Sequence, residues 1–357
     1  MKKKIAVIGA AGYVGRYVMN RLSHTNAELW AILRHQNTFL IPFAHQVQIK
    51  SVAEITSSCK ADIVINLAYS IAPDENTFRK ENNQLIDIIA QLSHTATHII
   101  HISTLAVFGF QLDKKQVLDL PPSERDYPYV QSKSEMEHLL FKRFPAHHID
   151  IIRPGNVWGP GSPSWTIPVL DALVYDRPIL SYTSSYSNIT DVNNLADYIG
   201  HICEHTSDCS FHHIAELGHI PWKEWIDPLA RLVKTNPVLL PDAPPYFVHT
   251  FEELRSCISV NPIQTLMTAS RSRYWQQPAR KAVAMIPPSL KRLRNQEEKP
   301  SVYRTGAVFH WIMEAKVLFA HHSDPRWSPP VTYVESLKSV EHYMSESGYL
   351  LNLPITS

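Results

Sequence analysis

Glycine is scarce in this chain, 11 of 357 residues, and cysteine scarcer still, at four. None of Cys59, Cys203, Cys209 and Cys257 forms a C-x-x-C pair. No disulfide framework is expected, and a reducing cytoplasm is the default location. No stretch approaches 18 consecutive apolar residues, so no membrane-spanning helix is expected. Charge of one sign is also missing. The net charge is +1, which provides no global field for nucleic acid or acidic partners. The opening "MKKKIAVIGAAGYVG" has the lysines of a signal peptide, but its apolar run is short and broken by glycine, and no cleavage site follows. It reads as a solubilising lead-in to a first strand. No internal repeat or low-complexity tract is present.

Histidine is plentiful, at 19. It falls in pairs such as His147–His148, His212–His213 and His321–His322, without H-E-x-x-H or zinc-ligand spacing. Neighbours on a strand point to opposite faces and chelate poorly, so no metal site is expected.

Hydrophobic residues make up 44% of the chain, enough for one large domain or two modest ones sharing a core. The first half alternates short β-rich runs with helix-length segments. The runs are "KIAVIGA" (4–10), "ELWAILR" (28–34), "ADIVINLA" (61–68), "THIIHIS" (97–103) and "IDIIRPG" (149–155); the segments are 12–23, 76–93 and 129–144. This alternation predicts an α/β fold, a Rossmann-like doubly wound parallel sheet with helices on both faces. After Pro154 the pattern changes. A loop (159–165) precedes helices expected at 166–176, 192–204 and 221–234, and "PDAPPY" (241–246) reads as a linker. The expected division is an NAD(P)-binding domain, 1–155 plus about 188–208, and a smaller, mostly C-terminal α/β substrate domain, 156–187 and 209–357. Residues 262–320 match no pattern well. Within 270–304 stand nine Lys/Arg against two Glu. There 281–295 reads as a basic solvated helix broken by Pro287–Pro288, with peripheral membrane contact or an apolar substrate groove as the alternatives.

Three of the few glycines cluster in "GAAGYVG" (9–15), after the first strand and opening the first helix. Gly9 allows a tight turn, Gly12 lets the backbone approach a pyrophosphate, and Gly15 lets helix and strand pack closely. Where an acid for the ribose hydroxyls would end the second strand stands Arg34. An arginine there pairs with a 2′-phosphate, so NADP is preferred over NAD. Arg16 would support the same phosphate.

"YPYVQSK" (127–133) sets Tyr129 four residues before Lys133. Pro128 suits a helix first turn, which puts both side chains on one face. Alone, the pair is a weak signal in a chain with 15 tyrosines. In order along the chain, however, "GAAGYVG", "INLAY" (65–69), Asn82 in "ENNQLIDII", "STLAVFG" (103–109), "YVQSK", "RPGNVWGP" (153–160) and "TDVNNLADYI" (190–199) resemble the motifs of the extended short-chain dehydrogenase/reductase family, the NAD(P)-dependent epimerase/dehydratase superfamily. The match covers about 4–235, with a weaker echo at 324–346.

The resemblance implies Thr104, Tyr129 and Lys133 as catalytic residues, with Ser103 the fallback for Thr104. It implies a cofactor site of Gly9, Gly12, Tyr13, Val14, Gly15, Arg34, Leu67, Ala68, Asn82, Tyr129, Lys133 and Pro154, and a substrate side of Asn156, Tyr69 and Thr104. A free phenol, with pKa near 10, is a poor base; a neighbouring ammonium favours the phenolate, and Tyr129 would then exchange a proton with the substrate. The departures narrow the reaction. Leu105 and Ala106 stand where related sugar 4,6-dehydratases carry an Asp-Glu pair, so that dehydration is not expected. No arginine occurs in "SYSNITDV" (185–192), where nucleotide-sugar enzymes hold the diphosphate. An aspartate usual after the third strand is missing from "VQIKSV" (47–52). Trp158, Trp165, Trp222 and Trp225 either wall an apolar pocket or pack as core. Three functions follow: an NAD(P)-dependent oxidoreductase of a secondary alcohol or ketone; a nucleotide-sugar epimerase; and a non-catalytic NAD(P)-binding regulatory protein. The partner is a small molecule, sugar nucleotide or ketone/alcohol, with a homodimer as a family expectation.

Overall fold

The apolar runs become strands buried on both faces. A computed structural model describes residues 2–34, 47–56, 58–70, 75–108, 128–175, 179–180, 186–205, 210–217, 219–235, 238–239 and 324–347. Its strands are β1 (Lys4–Ile8), β2 (Glu28–Leu33), β3 (Val47–Ser51), β4 (Ile63–Asn66), β5 (His98–Ile102), β6 (Ile149–Pro154), β7 (Asn156–Trp158), β8 (Ile179–Leu180), β9 (Ile189–Asp191), β10 (Phe211–Ile214) and β11 (Val238–Leu239). Its helices are α1 (Tyr13–Ser23), α2 (Glu75–Leu92), α3 (Pro128–Arg143), α4 (Ile167–Tyr175), α5 (Val192–Glu204), α6 (Trp222–Leu232) and, at Tyr333–Glu346, α7.

Seven strands form one sheet in the order β10-β6-β5-β4-β1-β2-β3, every pairing parallel. Parallel strands are joined by crossover helices, which cover both faces and make each strand a near-continuous apolar run. On one face Val7, Ile65, Ile100 and Ile152 pack with α1 and α5. On the other, Ala6, Val64, Ile99 and Ile151 pack with α2 and α3. The strand order reverses between β1 and β4, and ligands of such sheets enter the crevice at the carboxyl ends there.

A separate core lies outside the sheet. Trp158, Trp222 and Trp225 are fully buried among α4, α6 and α7, with Trp165 partly buried against them. The four tryptophans therefore pack on one another rather than wall a pocket; Trp158 and Trp225 meet edge-to-face at 5.7 Å. The echo at 324–346 contains α7, opened by a capping box in which Thr332 and Glu335 satisfy each other's backbone amides.

The expected domain boundary needs one correction. β10 adds to the main sheet beside β6, pairing His212 with Ile152, so the sheet reaches past residue 208. A four-residue strand rich in histidine carries little apolar signal; pairing with β6 makes it a strand. Among the described residues no helix is long and apolar enough to cross a membrane. The readings at 241–246 and 262–320, the basic segments within the latter, Cys209, Cys257 and His321–His322 lie outside the described residues.

Candidate active site

The glycine loop follows β1 directly. Gly9 has φ +84°, where a side chain is strained, and a Cβ there would sit 3.0 Å from the Ala68 amide nitrogen. Gly12 caps α1, its N–H donating to the Gly9 carbonyl at 3.0 Å. A Cβ on Gly15 would lie 2.2 Å from the Gly9 oxygen, so the bare glycine lets α1 close onto the loop. The first amides of a helix, here including Tyr13 and Val14, have no intrahelical acceptor and carry the positive end of its dipole. No acidic residue stands in that turn. The Tyr13 ring is engaged elsewhere, edge-on to Tyr17 at 5.4 Å, and burial, aided by Tyr17 and Asp191, pushes its phenol far above the ordinary range. Val14 packs against the sheet core.

A cleft of about 900 Å³ opens here, lined among others by Gly9, Gly12, Arg34, Ala68, Tyr69 and Glu81. Arg34 is exposed at the end of β2. Buried Arg16 Nε has no hydrogen-bond partner among the described residues, a donor suited to an anion. Leu67 donates its N–H to the Ile8 carbonyl at 2.9 Å, fixing the segment after β4 alongside the loop. These features fit a dinucleotide: an open helix N-terminus, glycines whose bare backbone borders a cleft, and Arg34 on its lining.

The Tyr-Lys pair lies on α3. Lys133 is buried, and its ammonium donates to the Ile102 carbonyl at the end of β5, 2.7 Å away. The same nitrogen stands 4.5 Å from the centre of the Tyr69 ring, and Tyr69 meets Tyr129 edge-to-face at 5.4 Å. Tyr69 thus touches both members of the pair. Burial pulls Lys133 down to about 7, opposed by the charge of Glu137. Glu137 takes a bidentate pair from Arg153, at 3.0 and 2.5 Å, and the guanidinium lies over the rings of Phe108 and Phe211 at 4.8 and 4.4 Å.

Thr104 follows β5 and is buried; its Oγ1 accepts from the Ala106 amide at 3.2 Å. The buried Ser103 hydroxyl has no hydrogen-bond partner among the described residues. Asn82 bridges α2 and α3. Its amide donates to the Ser132 carbonyl and the Glu135 carboxylate, both at 3.0 Å, and accepts from the Ser132 hydroxyl at 3.2 Å. It fastens α2 to α3 one residue before Lys133. Pro154 is buried at the end of β6, and Asn156 donates to the Ser187 carbonyl at 2.6 Å.

Two residues near the pair were not singled out from sequence. His101 pairs with Asn66 in register, and Asn66 Nδ2 donates to its Nδ1 at 3.1 Å. Burial, then the charge of Lys133, holds this imidazole well below its usual pKa, so it is neutral. Glu81 accepts from the Ser70 hydroxyl at 2.5 Å in the cleft. The alternation of "HIIHI" marks His98 and His101 as residues of opposite faces, but only strand register shows that His101 meets Asn66.

The sequence matches the NAD dependent epimerase/dehydratase family over residues 5–221. GDP-6-deoxy-D-talose 4-dehydrogenase of Aggregatibacter actinomycetemcomitans is 27% identical over 208 residues, 55% of this chain and 68% of that protein. The Bordetella bronchiseptica enzyme WbmH, solved in complex with NAD+, is 16% identical with a TM-score of 0.56 over 74% of this chain and 95% of its own. The terminal R domain from the myxalamid PKS-NRPS biosynthetic pathway is 13% identical, with a TM-score of 0.63 over 99% of this chain and 93% of that one. At these identities the structural likenesses establish the fold.

Proposed function

The chain belongs to the NAD dependent epimerase/dehydratase family, and from that premise we propose that it is an NADP-dependent oxidoreductase acting on a secondary alcohol or ketone carbon. The observation that carries the proposal is the convergence of Tyr129 and Lys133 on Tyr69 beside the glycine loop. When bound, the nicotinamide cofactor supplies or accepts the hydride.

The chain's own residues do the rest. The loop Gly9–Gly15, with the Tyr13 and Val14 amides and the backbone of Leu67 and Ala68, holds the dinucleotide, and Pro154 closes its nicotinamide end. Arg34 and Arg16 take the 2′-phosphate, the reason for choosing NADP. Tyr129 removes the proton from the substrate hydroxyl, or donates one to the carbonyl oxygen in reverse. The ammonium of Lys133 favours the phenolate, and the Thr104 hydroxyl hydrogen-bonds the reacting oxygen. Tyr69 and Asn156 lie on the substrate side. Leu105 and Ala106 move no protons, which disfavours dehydration through an Asp-Glu pair. Asn82 is assigned to the cofactor site through the helix that it anchors.

The relative from Aggregatibacter is by name a dehydrogenase of a nucleotide-linked deoxy sugar, so this class is the first substrate to try. A nucleotide-sugar epimerase is the second reading, favoured by the family's own description; it turns over without net change in the cofactor, whereas the oxidoreductase consumes it. Denaturing the purified protein and identifying the nucleotide released or bound tests the cofactor: NADP is expected, and exclusive NAD overturns the role of Arg34. Tyr129→Phe is expected to lower turnover by at least ~100-fold with cofactor affinity retained. Unchanged turnover in that variant refutes the proposed acid/base.

A further inference from the structure

The amino ends of the strands, opposite the cleft, hold a polar cluster that this chemistry does not use. β5 begins with His98, and Asp150 stands second in β6. Ile100 is in register with Asp150, so by the two-residue period of a strand His98, His148 and Asp150 share one face. The two imidazole rings lie 4.6 Å apart. His98 Nε2 is 2.6 Å and His148 Nε2 3.1 Å from the same carboxylate oxygen, Asp150 Oδ2. The three atoms all fall within 4.8 Å of one another, and no other such trio occurs among the described residues.

The other carboxylate oxygen is occupied. His212 Nε2 donates to Asp150 Oδ1 at 2.8 Å. Its Nδ1 accepts from the Tyr198 hydroxyl at 2.7 Å, whose oxygen accepts the Asp324 N–H at 3.0 Å. This chain fixes the His212 tautomer and turns Oδ2 towards the two remaining imidazoles. The Asp150 side chain is fully buried, whereas 36% of the His148 side chain is exposed, so the site has one wet side.

We propose that His98, His148 and Asp150 bind one divalent d-block ion of the zinc type, with water completing its coordination from the His148 side. Two imidazole nitrogens and a carboxylate oxygen suit Zn²⁺, Co²⁺ or Ni²⁺ and not the all-oxygen preference of Mg²⁺ or Ca²⁺. The ion replaces two N–H donors on Oδ2. Each neutral imidazole carries its proton on Nδ1 instead, and the separations open slightly to admit bonds of about 2.0–2.2 Å. His212, Tyr198 and the Asp324 amide then serve as the outer shell that orients the carboxylate. The adjacent pairs do split across faces, as the sequence suggests: His213 packs edge-on to Phe108, and His147 pairs with the His94 carbonyl. The ligand set instead comes from the start of β5 and the start of β6. A strand rises about 3.3 Å per residue, which sets the ion roughly 13 Å from Ile102, the acceptor of Lys133. The ion therefore ties β5 to β6 and takes no part in the reaction.

Full-length protein stripped with chelator and dialysed should bind one equivalent of Co²⁺, with the visible absorption of a low-coordinate site, and release it to Zn²⁺. His148→Ala and, in parallel, His98→Gln should each weaken Zn²⁺ binding by at least ~10-fold, and Tyr198→Phe by about 10-fold. Zn²⁺ should raise the melting temperature of the wild type and not of His148→Ala. Absence of a bound equivalent, or the same affinity in both folded histidine variants, overturns the proposal.

Discussion

Lys133 is the residue on which most of the site turns. It is buried, yet its cationic form is held by one carbonyl, one aromatic face and the more distant Glu137. Burial lowers its folded pKa to about 7 from an ordinary 10.5. Between those values the unfolded chain binds the proton more readily than the fold does. Stability is therefore penalised below about pH 7 and recovers as pH rises towards 10.5. Lys133→Met should remove that rise: the difference in unfolding free energy between variant and wild type, measured by denaturant at pH 6, 8 and 10, should shrink as pH increases. The same variant should lose at least ~100-fold in kcat/KM, because nothing else described beside Tyr129 supplies a cation. A parallel stability profile in both proteins would contradict a buried ammonium.

At the scale of elements, the pair depends on how α3 is held. Asn82 on α2 supplies three hydrogen bonds to α3 within three residues of Lys133. Asn82→Ala should cost roughly 1–3 kcal/mol of stability and lower kcat more than it raises KM for the cofactor, seen in steady-state kinetics. A second junction joins β9 and α5 to the segment before α7. Glu216 accepts from the Asp191 amide and Asn194, at 2.7 and 3.0 Å, and Asn194 also grips Val331 through both its amide atoms. Burial raises Glu216 to about 7 from 4.5. A raised carboxyl favours the fold in full below its unfolded value, and that contribution is lost as pH rises through about 7. Glu216→Gln should flatten the fall in melting temperature between pH 5 and pH 8, an effect of about 1–3 kcal/mol. An unchanged slope would mean that the carboxylate is solvated.

Across the whole molecule, the chemistry and the tryptophans are segregated. The sheet and its helices carry the cleft, while the tryptophan core joins β7, α4, α6 and α7. Trp225, wholly buried and in contact with Trp158, Trp165 and Trp222, anchors that second core. Trp225→Ala should destabilise by about 3–5 kcal/mol, read from denaturant unfolding, and leave the affinity for NADP in the remaining folded protein within about twofold. A large loss of cofactor affinity would show that the two cores are energetically one.

The strand runs, the glycine loop and the order of motifs were legible because local periodicity and backbone need determine them. A fully buried parallel strand must be apolar, and only glycine tolerates φ +84° at residue 9. Contacts between distant segments were not legible. No local pattern shows that Asn82 binds α3, and the choice between pocket wall and core for the four tryptophans is made only when they are seen to fill one another's space. β10 hid in a histidine-rich stretch because its apolar signal is small and its pairing with β6 supplies the strand. Local sequence dictated backbone conformation here, whereas each polar side chain's partner was decided by register and packing, which bring together residues as far apart as Asp150 and His212.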